Sequence, residues 1–153
     1  MGSKYLGRGK PYNRNSILAY QQKLLLDKYA FLKCYIKNNV LVCTGYLQPD
    51  NCIHKYSIML EYVVGHEPKS TILYPIINPS FKIHMYKDHS LCLSYKPDLQ
   101  WTARINIYKY TVPWICEWII FYEIYLLNGG KWEGKESPIH LSENERNINV
   151  DFT

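Results

Sequence analysis

Apolar and polar positions change their period along this chain, and each change marks an element. Asn15 or Ser16 can cap a helix in which Ile17, Tyr20, Leu24 and Leu25 share one face while Gln21, Gln22, Lys23 and Asp27 fall elsewhere. Such a helix packs one stripe on a sheet. From Phe31 the period drops to two, with Leu32, Cys34 and Ile36 alternating with Lys33, Tyr35 and Lys37. Asn38-Asn39 then supplies residues that tolerate positive φ in a tight hairpin, and Val40 to Leu47 returns as the second strand. After a turn at Gln48-Pro49-Asp50-Asn51, Tyr56, Ile58, Leu60 and Tyr62 alternate with Ser57, Met59 and Glu61. Gly65-His66-Glu67-Pro68 closes that third strand. Thr71 to Ile77 reads as a shorter fourth, confined to an edge or an end by Pro75.

The regularity fades between Asn78 and Tyr110, where Pro79, Pro97 and polar residues interrupt the pattern. A long irregular stretch inside a compact domain is often where function resides. Thr111-Val112-Pro113 starts a second helix, with proline acceptable in its first turn, and Asn128-Gly129-Gly130 stops it. The pattern therefore predicts an α/β (α+β) domain: a leading helix, a four-stranded antiparallel meander, an irregular segment and a long closing helix. A polar tail follows, from Leu141 to Thr153.

Composition narrows the class. At 153 residues and 47% hydrophobic, the chain suits one domain with a single core. Five cysteines without C-x-x-C spacing, and no leader-like opening, point to a reducing cytoplasm; disulfides and zinc are not expected. Cys34, Cys43 and Cys116 read as packing residues and Cys52 as a turn residue. The longest apolar run, Trp114 to Leu127, contains Glu117 and Glu123 and falls short of the roughly 20 residues of a membrane span. It reads as a core helix.

The net charge of +5 is uneven: residues 1 to 40 carry eight Lys and Arg against Asp27 alone, and the remainder carry ten against twelve acids. A basic N-terminal arm over residues 1–13 and a basic first helix favour an acidic protein surface as partner. Nucleic acid ranks behind it, because Lys4, Arg8, Lys10 and Arg14 are scattered and no nucleic-acid motif is present. His54, His66, His84, His89 and His140 are dispersed, so no metal or cofactor is expected. Trp101, Trp114, Trp118 and Trp132 read as core and cover.

The chemistry concentrates in His84-Met85-Tyr86-Lys87-Asp88-His89-Ser90-Leu91-Cys92-Leu93. Taken with Trp101, Val112-Pro113-Trp114, Glu117-Trp118, Tyr122-Glu123 and Gly130-x-Trp132-x-Gly134-x-Glu136-x-x-x-His140, it resembles the ubiquitin-conjugating (UBC-like) family over residues 14–140. The resemblance is to the bacterial branch encoded in anti-phage CBASS operons beside a cGAS/DncV-like nucleotidyltransferase. It implies a cysteine, here Cys92, that takes a protein C-terminus as a thioester and passes it to an amine. It also implies that the first helix docks an activating enzyme. Eukaryotic relatives carry His-Pro-Asn ahead of the cysteine; here His84-Met85-Tyr86 stands instead, with no asparagine amide for the oxyanion.

An acyl-accepting thiol need not be strongly activated. A donor thioester already has a good leaving group, so the few per cent of thiolate that a free cysteine holds near neutrality suffices. A donor to the developing oxyanion matters more, on the order of 3 kcal/mol in other enzymes. The catalytic candidates are Cys92, His84 and Tyr86, with oxyanion donors among the backbone N–H groups near Ser90 and Cys92, the Tyr86 hydroxyl and the His84 ring. His84 reads first as a structural residue, and Asp88 and His89 as solvated neighbours. The reading requires a sulfur reachable from solvent beside a groove for an extended peptide. Its rivals are a non-catalytic interaction module of the same fold and a cysteine hydrolase, for which no base and orienting pair is evident.

Overall fold

The computed structural model describes residues 13–93 and 99–134. The arm before Asn13, Pro97, Glu136, His140 and the tail 141–153 lie outside the described residues. Helix α1 spans Arg14–Lys28 and is capped by Asn13, whose side chain accepts from the Ser16 N–H at 3.3 Å. The cap thus stands two residues ahead of the expected Asn15. The buried face also differs, since Leu18, Gln21 and Leu25 point inward while Tyr20 is exposed. Leucines lie on several sides of this helix, so apolar period alone selects no face, and Gln21 can be buried because its amide is satisfied. Its Oε1 accepts from the Ile107 N–H and its Nε2 donates to Asn106 Oδ1, both at 3.1 Å. That clasp ties α1 to the 3-10 turn Ile107–Lys109.

Four strands follow, β1 (Lys33–Lys37), β2 (Val40–Leu47), β3 (Tyr56–Tyr62) and β4 (Lys69–Tyr74), paired antiparallel in sequence order. Asn38 and Asn39 both take positive φ, 53° and 61°, as the β1–β2 hairpin requires. Tyr56, Ile58, Leu60 and Tyr62 are buried, and the register places Leu41, Cys43 and Gly45 beside them on the same face. β4 starts two residues before the expected Thr71 and ends at Tyr74 rather than Ile77, because Pro75, joined by a cis bond, cannot donate to the ladder. Gln22 Nε2 donates to the Cys34 carbonyl at 3.2 Å, so α1 covers part of the β1 edge.

The expectation of an all-thiol chain is not met: Cys34 and Cys43 form a disulfide across β1 and β2. Spacing in sequence does not reveal it. The hairpin register sets the two residues directly opposite, with Cα atoms 4.1 Å apart, so the fold rather than a motif brings the sulfurs together.

Helix α2 spans Thr111–Leu127, with Pro113 in its first turn and Gly129 and Gly130 at positive φ beyond its end. It buries Ile115, Trp118 and Ile119 against the sheet side of the core, together with Glu123. That carboxylate is held by three donors: Ile53 N–H at 2.6 Å, His54 N–H at 3.2 Å and the Tyr56 hydroxyl at 2.9 Å. The loop between β2 and β3 is thereby anchored on the helix. Among the described residues no helix is long and apolar enough to cross a membrane.

Candidate active site

The irregular segment is built as an extension of the sheet. After the 3-10 turn Phe81–Ile83, His84 takes a left-handed conformation (φ 56°) and redirects the chain into a small hairpin. Its outgoing arm bridges the incoming one between Met85 and Leu91, and Cys92 N–H donates to the His84 carbonyl at 2.9 Å. The turn is closed by Tyr86 N–H to the Ser90 carbonyl at 2.8 Å and His89 N–H to the Tyr86 carbonyl at 2.9 Å. Ser90 bridges Thr71, and Leu91 N–H donates to the Ser70 carbonyl at 2.8 Å, so the hairpin lies along the edge of β4. From the other side, Trp118 Nε1 donates to the Ile83 carbonyl at 2.6 Å and locks the entry of the segment to α2.

The three catalytic candidates therefore share one small element. Cys92 pairs through backbone with His84, and Tyr86 faces Ser90 across the turn. Their surroundings differ sharply. His84 is 1% exposed, its ring 5.2 Å from that of Trp132, whereas Tyr86 is 39% exposed. The expected backbone oxyanion donors are already engaged: Ser90 N–H on Asp88 Oδ1 at 3.0 Å and Cys92 N–H on His84. An engaged N–H cannot serve a passing oxyanion without breaking its bond.

Cys92 is 5% exposed, which contradicts the expectation of a sulfur open to solvent. A cleft of about 280 Å³ borders the hairpin, lined by Thr71, Ile72, Leu73, Ile76, Asp88 and His89, and Cys92 is not among its lining residues. Unlike Cys34 and Cys43, Cys92 takes no part in the disulfide. Cys52 and Cys116 sit against the core, and burial pushes both thiols up from their ordinary range.

Asp88, read from the sequence chiefly as a solvated neighbour, holds the turn. Its Oδ1 accepts from both the N–H and the hydroxyl of Ser90, and its Oδ2 pairs with Lys69 Nζ at 2.8 Å. Lys69 beside it, with Ser90, holds the Asp88 carboxyl well below the usual carboxylate range. The available signal was Asp-x-Ser, an aspartate two residues ahead of a serine in a turn. Among the described residues no group of three or more His, Cys, Asp or Glu side chains is placed to hold a metal ion.

A family model described as Type II CBASS E2 protein matches residues 21–140, well over half of the chain and all of the hairpin. No curated protein matches the chain.

Proposed function

The chain belongs to the Type II CBASS E2 family, and from that premise we propose that it is a ubiquitin-conjugating-type acyl carrier acting through Cys92. The Cys92 thiolate attacks the acyl carbon of a donor thioester. A new C–S bond forms as the donor C–S bond breaks, and the donor sulfur leaves as thiolate. An amine then attacks the Cys92-bound carbonyl, an amide forms, and the Cys92 sulfur departs while the amine proton passes to solvent. The acyl group is the C-terminus of a partner protein, a cGAS/DncV-like nucleotidyltransferase, activated elsewhere by an enzyme that docks on the basic face of α1. The placement is cytoplasmic.

The single observation that carries the reading is the hairpin itself, an element added to the sheet edge that holds Cys92 by its own N–H. Within it, the partly exposed Tyr86 is assigned as the side-chain donor to the oxyanion. His84, packed on Trp132, supports the hairpin from beneath. Because Cys92 is buried, acyl exchange needs a displacement of its cover, which the docked peptide tail supplies.

That burial favours a second reading, a non-catalytic interaction module of the same fold. Purification with the operon partner separates the two. The carrier forms an adduct that a thiol reductant releases and that is lost in Cys92→Ala; the module forms none, and wild type and variant bind the partner alike.

A further inference from the structure

We propose that Asp88 is the positioning residue for Cys92: its carboxylate fixes the strand segment Ser90–Cys92 on the sheet edge, with Lys69 anchoring the carboxylate to β4. The purpose given to this arrangement rests on the acyl-carrier reading above.

The turn is not a relaxed one. His89 has φ 69°, a left-handed conformation unfavourable for a residue other than glycine, so neighbouring contacts must hold it in place. Asp88 supplies them. One oxygen takes both polar hydrogens of Ser90, and the other reaches Lys69, the first residue of β4. Tyr86 N–H grips the Ser90 carbonyl from across the turn, so Ser90 is fixed at its N–H, its hydroxyl and its carbonyl. Leu91 then registers on Ser70 and Cys92 on His84.

Register is what this secures. A slip by one residue would exchange the faces of Cys92 and its flanking leucines and take the sulfur from the position the hairpin gives it. Asp88 acts on Cys92 through Ser90.

The test uses the full chain and, as acyl donor, the thiophenyl thioester of an extended peptide, whose tail can displace the cover of Cys92. It reads acyl uptake at Cys92 relative to Cys52 by peptide mass, with amide exchange at residues 90–92 in parallel. In Asp88→Ala, uptake at Cys92 falls about tenfold or more, as a misplaced reacting group predicts, and the three amides exchange faster. Asp88→Asn, which keeps an oxygen for Ser90, recovers most of the uptake, a rescue that general loss of stability does not produce. Unchanged uptake in Asp88→Ala overturns the proposal, as does failure of Asn to rescue. Where Asp88→Ala does not fold, Ser90→Ala decides: slowed uptake supports the proposal and an unchanged rate overturns it. If wild type takes no acyl group at all, the carrier reading falls. The exchange rates alone then judge whether Asp88 holds the segment.

Discussion

Two carboxylates show how single side chains organise this molecule. Glu123 is buried and satisfied by two backbone N–H groups and a tyrosine hydroxyl, so Glu123→Ala strands all three donors. Lost hydrogen bonds to a charged group and unsatisfied buried donors together put the cost at about 3 kcal/mol, readable by urea unfolding. Asp88 is half exposed and governs pH dependence instead. Its folded-state pKa is depressed, so its contribution is present above the ordinary carboxylate value and is lost as pH falls below about 4. The difference in unfolding midpoint between wild type and Asp88→Asn is therefore expected at neutral pH and shrinks on acidification. A difference that grows below pH 4 or so would contradict the assignment.

At the scale of elements, the strands were legible and the buried face of α1 was not. Period-two alternation found β3 to the residue, because one of its faces is buried and the other is half-buried, and the Asn38-Asn39 hairpin found β2 as its return strand. The same logic failed for α1, where a buried, fully bonded Gln21 stands in the core stripe and Tyr20 stands outside. A polar side chain satisfied by contacts 85 and 86 residues away leaves no local trace. The Cys34–Cys43 pairing and the Asp88 arm share that character, since both depend on register. Gly45 belongs here too: an added Cβ would lie 3.0 Å from the Phe31 carbonyl and 2.9 Å from its ring. Ring atoms can yield, but the carbonyl belongs to the segment leading into β1. Gly45→Ala should cost on the order of 1–3 kcal/mol, as overpacking does, measured by thermal or chemical unfolding.

For the whole molecule, the sequence led to the ubiquitin-conjugating architecture and to the segment holding Cys92, and it misjudged the exposure of the sulfur. Exposure is set by what packs over an atom, which no short window of residues contains. The basic charge of α1 survives as a surface property, with Lys23 and Lys28 both exposed. Charge reversal at these two positions should weaken docking of an acidic activating enzyme, chiefly through a slower association rate with reduced salt dependence, read by surface plasmon resonance. Unaltered kinetics would remove α1 as the docking face.

The most direct measurement is peptide mapping of the protein isolated with its genomic partner, without reductant and at mildly acid pH. The account predicts that the tryptic peptide spanning residues 88–104 carries the partner's C-terminal residues on Cys92, and that a thiol reductant restores its unmodified mass. A Cys92 peptide that is unmodified while the partner is bound, or an acyl group found on another cysteine, contradicts it.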